Sequence, residues 1–312
     1  IRRNGMKMKM AIVALTALGL VGFMAGAANA EDKLGLLIIA HGSPSPTWNQ
    51  PVLDLERKVS ELMQTEHPGL FSSIRVALME FVEPSIATVI SELEDNGINR
   101  VYALPLFVAP SGHSLYDVPA ILGLYAEKGI MEELEEEGIE LVDSDLKISL
   151  GPTIDAEVVK SIMLDRVMEM SEDPDSEAIV ILAHGDRYFE PIWISLVSEV
   201  GTGLCAKSGI NYFDYGFIGM GQAFMSEGAH AIFRTLDKYD RVLVLGLYMC
   251  SGVDKLVRRA TKRMAGDSTG DSDIFAGYDV RFADSGLLPD KRISEWIVEK
   301  AFEWVEFTKL AR

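Results

Sequence analysis

Apolar runs alternate with segments of helical periodicity along the chain after Lys33. Continuous apolar runs predict buried strands, and apolar residues that recur every three or four positions predict amphipathic helices. The order is strand, helix, strand, helix, strand, at residues 34–40, 48–62, 74–79, 85–93 and 101–108. Strands that alternate with helices in this way pair in parallel. The pattern therefore predicts an α/β fold in which a parallel sheet is flanked by helices.

The same pattern returns about 140 residues further on. The run AIVILA at 178–183 precedes His184-Gly185 just as LIIA at 37–40 precedes His41-Gly42. This period is too long for a solenoid repeat. It predicts two similar lobes with a cleft between them, an N-terminal lobe at 31–173 and a C-terminal lobe at 174–312. The polar segment Glu172–Glu177 is typical of a surface linker at this boundary.

Residues 1–30 have the pattern of a secretory signal peptide. Lys7 and Lys9 precede an apolar run from Met10 to about Ala28, which ends in Ala28-Asn29-Ala30. A basic start, an apolar centre and a small-residue site are the features that signal peptidase requires. We expect cleavage after Ala30, export to the periplasm and no stable membrane anchor in the mature chain. An uncleaved anchor is the alternative.

Composition and charge narrow the class of protein. The chain has 312 residues, of which 48% are hydrophobic and 24% charged, and this excludes a disordered chain. The excess of 47 Asp and Glu over 29 Lys and Arg, a net charge of −18, argues against a nucleic-acid partner. The negative net charge repels acidic ligands, so an acidic ligand would need a local basic patch on the protein. Whether Cys205 and Cys250 pair is left open.

Chemistry-bearing side chains follow the predicted strands. His41, His113 and His184 lie after or near strand ends, and Glu80 ends the second strand. Carboxyl ends of parallel strands meet at one edge of a sheet, so His41, Glu80 and His113 are expected to converge in the first lobe. Two imidazoles and one carboxylate suit Co²⁺, Ni²⁺, Fe²⁺ or Zn²⁺ better than Ca²⁺ or Mg²⁺.

The second lobe repeats this set only in part. It keeps His184, but the position equivalent to Glu80 falls near Gly221 and that equivalent to His113 near Val253. We therefore expect one working site, in the first lobe, and a degenerate site in the second.

Four motifs follow one another in a specific order. They are AHGS at 40–43, MEFVEPSI at 79–86, LPLF at 104–107 with GHSLYDVP at 112–119, and LGP at 150–152. In this order they resemble the class II tetrapyrrole chelatases of the CbiX type, the sirohydrochlorin cobaltochelatases, which are related to sirohydrochlorin ferrochelatases. The resemblance covers nearly the whole chain after residue 30, as two fused copies. It implies a chelatase fold and insertion of a divalent metal ion into sirohydrochlorin.

The resemblance also implies roles for individual residues. His41, Glu80 and His113 would bind the metal ion and serve the proton chemistry. The ion would be a substrate, most readily Co²⁺ with Fe²⁺ or Ni²⁺ as alternatives, and no organic cofactor is expected.

Substrate contacts are expected around the cleft. Because sirohydrochlorin is a polycarboxylate, cationic side chains should rim the cleft. The candidates are Arg187, Lys255, Arg258 and Arg259 of the second lobe, of which Arg187 and Arg258 are the predicted contacts. Solvated surface charges are the alternative for all four. The remaining predicted substrate-binding residues are Ser43, Ser111, Tyr116 and His184.

Two other functions are compatible with a bilobed, exported chain. One is a carrier of metal, haem or another tetrapyrrole on a chelatase fold, with little turnover. The other is a general solute-binding protein, which predicts no metal site at these histidines. The co-occurrence of His41, Glu80 and His113 favours the enzyme, because a carrier has no need of a proton acceptor beside the metal ion. A homo-oligomer is left open.

Overall fold

The computed structural model describes residues 32–264 and 274–310. The predicted signal peptide at 1–30 lies outside the described residues. From Lys33 onward the chain forms one compact unit. Within the two described ranges, no helix combines the length and the apolar character that a membrane crossing needs.

Two four-stranded parallel sheets form the centre of the molecule. The first has the strand order β2-β1-β3-β4 and the second β6-β5-β7-β8, so the two sheets share one topology. Strands β1 and β5 are central and apolar because they are covered on both faces. The α/β fold with two similar lobes is therefore confirmed. The strands are β1 (Leu34–Ala40), β2 (Ser73–Leu78), β3 (Arg100–Pro105), β4 (Lys147–Leu150), β5 (Glu177–Ala183), β6 (Phe213–Phe217), β7 (Arg241–Leu247) and β8 (Asp279–Phe282).

Helices connect the strands and cover the sheets. The helix expected at 85–93 begins at Ile86, and its N-cap Ser85 accepts a hydrogen bond from the Thr88 N–H at 3.1 Å. The strand expected at 101–108 ends earlier, at Pro105, and the residues after it leave the sheet. The helices are α1 (Pro46–Glu66), α2 (Ile86–Asp95), α3 (Val118–Ile121), α4 (Lys128–Glu136), α5 (Ala156–Met170), α6 (Glu190–Ser208), α7 (Ala229–Leu236), α8 (Val253–Met264) and α9 (Lys291–Leu310), with π-helical turns at His113–Asp117 and Phe224–Gly228.

The two halves share one hydrophobic core because their last helices cross over. Helix α9 packs on α1, and its Trp304 stacks on Tyr102 of β3 with ring centroids 5.0 Å apart. Helix α5 in turn packs on α6 of the second half. Cys205 and Cys250 pack against this shared core as free thiols. The lobe boundary at 173/174 stays a prediction, since the core runs across it.

The segment Glu172–Glu177 is only in part the surface linker that its composition suggests. Its last residue, Glu177, is fully buried and forms an ion pair with Arg241 at 3.0 Å. Burial alone would raise the pKa of Glu177, but hydrogen bonds from Ser171, two backbone N–H groups and Arg241 outweigh it and hold the pKa below its ordinary value. The surface prediction is therefore wrong for Glu177, because this carboxylate ties the start of β5 to β7.

Candidate active site

Three side chains converge at the carboxyl edge of the first sheet. His41 follows β1, Glu80 lies two residues after β2, and His113 begins the π-helical turn beyond β3. Their candidate ligand atoms all lie within 4.8 Å of one another, and His41 Nε2 is 3.8 Å from Glu80 Oε1. An ion bound at about 2 Å spans donor atoms up to about 4 Å apart, so small side-chain movements close the set on a cation.

The backbone around Gly42 holds His41 and Glu80 together. The Glu80 N–H donates to the His41 carbonyl at 2.9 Å and continues the strand pairing beyond β2. Gly42 has φ +91°, and a Cβ at this position would collide with the Glu80 carbonyl oxygen. The His41 ring donates from Nδ1 to the Gly42 carbonyl at 3.0 Å, because a carbonyl can only accept. Nε2 of His41 is thus left unprotonated and faces the site.

Asp117 fixes the orientation of His113. The Asp117 Oδ2 lies 2.7 Å from His113 Nδ1, one turn further along the π-helical segment. A carboxylate on the second ring nitrogen sets the tautomer and leaves Nε2 for a metal ion. The hydrogen bond that His113 Nδ1 donates to Asp117 is also the main cause that raises the pKa of His113, against the opposing effect of burial.

His41 has the opposite electrostatic setting. Burial lowers its pKa, and the nearby Glu80 carboxylate opposes this effect, while positive charge on His113 or His184 would add to the lowering. The neutral imidazole is therefore the favoured form of His41 near neutral pH. His41 is thus suited to accept a proton or a metal ion, whereas His113 is held in place by the Asp117 carboxylate.

A cavity of about 880 Å³ opens beside this set, between the two halves. Ligand-binding cavities in proteins span roughly 300–1,000 Å³, so its size suits a large organic ligand. Equivalent positions of the two halves line it in pairs. The pairs are His41 and His184, Gly42 and Gly185, Leu106 and Leu247, Phe107 and Tyr248, and Val108 and Met249. Most of these side chains are apolar.

Four of the predicted substrate-binding residues lie in the cavity wall: Ser43, Ser111, His184 and Arg187. Tyr116 lies elsewhere, since it packs against Tyr125 and Phe189, each with ring centroids 6.0 Å away. Arg258 also lies outside the wall, because α8 buries Leu256, Val257 and Ala260 and turns Arg258 to solvent. The structure does not place Tyr116 and Arg258 in the wall, and their contact with substrate stays a prediction.

The cationic rim expected for a polycarboxylate is largely missing. Among the wall residues, all of which lie in the described part of the chain, Arg187 is the only lysine or arginine, whereas Asp186 and Glu190 are acidic. Carboxylates on a bound ligand must therefore reach water at the cavity mouth, apart from any that Arg187 pairs.

The second half presents His184 without the rest of the set. Its Nδ1 donates to the Gly185 carbonyl at 2.7 Å, as His41 does to Gly42. The Gly219 N–H donates to the His184 carbonyl at 3.0 Å, which makes Gly219 the true equivalent of Glu80. The prediction of Gly221 is wrong by two residues, because β6 ends at Phe217 where β2 ends at Leu78. Val253 begins α8 where His113 begins its own turn.

Some residues in or near the wall are not among those that the sequence analysis singled out. Phe81 adopts a positive φ of +72° and is 63% exposed, with its ring stacked 6.0 Å from that of His41. Such a backbone conformation is costly for a bulky residue and tends to occur at functional sites. Trp48 and Trp193 line the cavity from α1 and α6. Their shared position shortly after a His-Gly pair was the available signal.

The acidic segment at 132–137 ends close to the three side chains. Burial raises the pKa of Glu137, and the negative charges of Glu80, Glu133 and Asp117 raise it further. Glu137 therefore adds to the negative field around His113. A field of this sign raises the local concentration of divalent cations.

Comparisons with known proteins agree with this geometry. The CbiX family profile matches residues 35–169, a stretch that contains His41, Glu80 and His113 but not His184. A Methanococcus maripaludis protein named sirohydrochlorin cobaltochelatase is 32% identical over 90 residues, which are 29% of this chain and 58% of that protein. This chain thus spans about three fifths of the length of that relative.

A second relative and a solved structure extend the comparison. The Methanosarcina acetivorans protein of the same name is 33% identical over 98 residues, which are 31% of this chain and 70% of that protein. The structure described as SirB from Bacillus subtilis with Fe³⁺ has a TM-score of 0.61 at 15% identity and covers 87% of this chain and 95% of its own. That likeness concerns the fold. Through its matched relatives and the family profile, the chain belongs to the CbiX family.

Proposed function

We propose that this chain inserts a divalent metal ion into sirohydrochlorin, with Co²⁺ as the preferred ion. The ion is a substrate of this reaction and not a resident cofactor. The observation that carries the proposal is the meeting of His41, Glu80 and His113 beside a cavity of about 880 Å³, whose wall includes the two histidines. The name of the matched relatives, sirohydrochlorin cobaltochelatase, supports both the macrocycle and the metal ion.

The composition of the ligand set suits transfer better than storage. Three protein ligands leave coordination positions open, whereas a closed set of four is typical of structural sites. The ion must leave its protein ligands for four ring nitrogens, and open positions let the ring nitrogens bind before the protein ligands dissociate. Imidazole and carboxylate accept Co²⁺, Fe²⁺, Ni²⁺ and Zn²⁺, so supply and geometry decide among these ions.

Insertion also releases two protons. The free macrocycle carries two pyrrole N–H groups, and its reaction with one dication yields the metallated ring and two H⁺. His41 Nε2 is unprotonated, and burial favours the neutral ring, so it can accept the first proton. The Glu80 carboxylate, 3.8 Å from His41 Nε2, can stabilise the imidazolium that forms. His113 is held in place by Asp117 and serves chiefly as a ligand.

The wall of the cavity suggests how the macrocycle binds. The apolar pairs Leu106 and Leu247 and Phe107 and Tyr248 contact its faces, and Arg187 pairs with a peripheral carboxylate. The other carboxylates remain at the mouth, in water, because burial of an unpaired charge is unfavourable. For its ring centre to reach His41, the macrocycle then has to enter the cavity edge-first.

A spectroscopic insertion assay tests the proposal. The full chain would be mixed anaerobically with sirohydrochlorin and Co²⁺, Fe²⁺ or Ni²⁺, and the absorbance change followed against a protein-free control. We expect acceleration by the wild type and by a His230→Ala control on the exposed face of α7, and no acceleration by a His41→Ala, His113→Ala double variant. Equal rates for all samples would refute enzyme function. Tight macrocycle binding without acceleration would instead support a carrier.

We further propose that the chain is exported to the periplasm. The basic, apolar and small-residue pattern of residues 1–30 supports this location. Fractionation of cells that express the full sequence, with mass spectrometry of the product, tests it. A mature chain that begins at Glu31 in the periplasmic fraction is expected, and an uncleaved chain in the cytoplasm would contradict it.

A further inference from the structure

His184 stands in the second half where His41 stands in the first. Each follows the last residue of a central strand and donates from Nδ1 to the carbonyl of the next glycine, at 2.7 Å for His184 and 3.0 Å for His41. The proton on Nδ1 leaves Nε2 of His184 with a free lone pair. Within the described ranges no side chain or backbone group bonds to this Nε2. His184 is exposed and lines the cavity, so this nitrogen is accessible to a ligand there.

The two imidazoles belong to the parts of the cavity wall that the first and the second half of the chain supply, here called the first wall and the second wall. The cavity is lined by equivalent pairs from the two halves, and His41 and His184 form one such pair. The ring contacts of His41 are with Phe81 and His113, and His184 is not among them, so space separates the two imidazoles. They are still close enough for charge on His184 to act on His41. A flat ligand between the walls would have one imidazole on each face.

The second wall cannot bind a free metal ion as the first wall does. The equivalent of Glu80 is Gly219, and Val253 stands near the equivalent of His113. A single imidazole holds an aqueous dication weakly. An ion already bound by four ring nitrogens is different, because it needs only one further ligand along the axis of the ring.

We propose that His184 coordinates the metal ion of the metallated tetrapyrrole through Nε2, from the second wall. The inference rests on the proposed function, and it assigns the second half a role in holding the product. The bond is dative, from the imidazole lone pair to an open axial position of the metal ion, and it consumes no proton or electron. His184 lies outside the stretch matched by the family profile, residues 35–169.

This role makes a selective prediction about affinity. The variant His184→Ala should bind Co²⁺-sirohydrochlorin about tenfold or more weakly than the wild type. Its affinity for metal-free sirohydrochlorin should change less than threefold, because that ring offers no ion to coordinate. Its affinity for Co²⁺ alone should be unchanged, because the first wall loads the ion.

The experiment uses the full chain and chemically prepared Co²⁺-sirohydrochlorin under anaerobic conditions. Affinities are measured by absorbance titration, and axial ligation is read from nitrogen splitting in the electron paramagnetic resonance spectrum of low-spin Co²⁺. The splitting should persist in the His41→Ala, His113→Ala double variant and in His230→Ala, and it should disappear in His184→Ala.

Two results would overturn the inference. One is unchanged nitrogen splitting in His184→Ala, and the other is an equal loss of affinity for metal-free and metallated rings, which would make His184 a wall contact only. The binding test needs no turnover, so it is independent of the insertion assay. A wild type that ligates the product through His184 but catalyses no insertion refutes the proposed function alone.

Discussion

Gly42 is the backbone position on which the geometry of the candidate site depends most directly. Its φ is +91°, and a Cβ there would meet the backbone carbonyl oxygen and carbon of Glu80. Gly42→Ala therefore introduces both an unfavourable backbone conformation and a collision with the chain that carries the Glu80 carboxylate. Gly69→Ala is a matched control, because Gly69 has φ +77° and a Cβ there would meet nothing within 4 Å.

The expected magnitudes follow from these two environments. A left-handed conformation costs a residue with a Cβ about 1–2 kcal/mol, and this applies at both positions. Overpacking against a fixed neighbour adds about 1–3 kcal/mol, and this applies at Gly42 alone. We expect the free energy of unfolding to fall by about 2–5 kcal/mol in Gly42→Ala and by about 1–2 kcal/mol in Gly69→Ala. The entropic effect of Ala on the unfolded chain is shared and cancels in the comparison.

Urea titration measures the stability difference, and isothermal titration with Co²⁺ measures its effect on the site. Relief of the collision must move the Glu80 backbone, so Co²⁺ affinity should fall about tenfold or more in Gly42→Ala and stay constant in Gly69→Ala. Equal destabilisation of the two variants, with equal Co²⁺ affinity, would refute the close approach of Gly42 to Glu80 as the feature that shapes the site.

Three further changes probe the metal set and the cavity wall. Glu80→Gln should lower Co²⁺ affinity about a hundredfold or more by calorimetry, since it removes the only anionic ligand of the set; a loss under threefold would exclude Glu80 as a ligand. Asp117→Asn removes the main cause that raises the pKa of His113, so protons compete less and half-maximal Co²⁺ binding should move to lower pH. An unchanged midpoint in a pH series of Co²⁺ titrations contradicts that reasoning. Arg187→Ala should weaken sirohydrochlorin binding about tenfold in fluorescence titration while Arg258→Ala leaves it unchanged, and equal effects would mean that neither pairs with a carboxylate in the cavity.

The sequence was sufficient for the fold class and for the convergence of the metal set. Strands β1 and β5 are covered on both faces, and a strand in that position must be apolar along its whole length. His41, Glu80 and His113 then follow strands of one parallel sheet, so the sheet-edge rule brings them together without knowledge of any loop. Both inferences use local pattern and one general property of parallel sheets.

Features that depend on long-range packing were beyond the sequence pattern. The periodicity of α9 marks an apolar face, but it does not say that Trp304 packs on Tyr102 of the other half. The charge of Arg258 suggests an anion partner, yet the apolar face of α8 decides that this side chain points to solvent. The equivalence of Gly219 and Glu80 depends on where β2 and β6 leave their sheets, and this is set by pairing with β1 and β5.

The two halves line the cavity with equivalent positions but differ in their charged and metal-binding groups, and the proposed insertion chemistry accounts for the difference. A macrocycle takes up one divalent ion, so a second complete set of ligands would hold a second dication across the ring. Two dications that face each other in an apolar cavity repel strongly, because the low dielectric screens them poorly. Because Gly219 stands at the position equivalent to Glu80, the second wall lacks this carboxylate and binds a free ion less readily. In the proposed reaction, His184 keeps a lone pair there that binds the ion only once the ion is held by the ring. This asymmetry would give the proposed reaction a direction, from the first wall to the second.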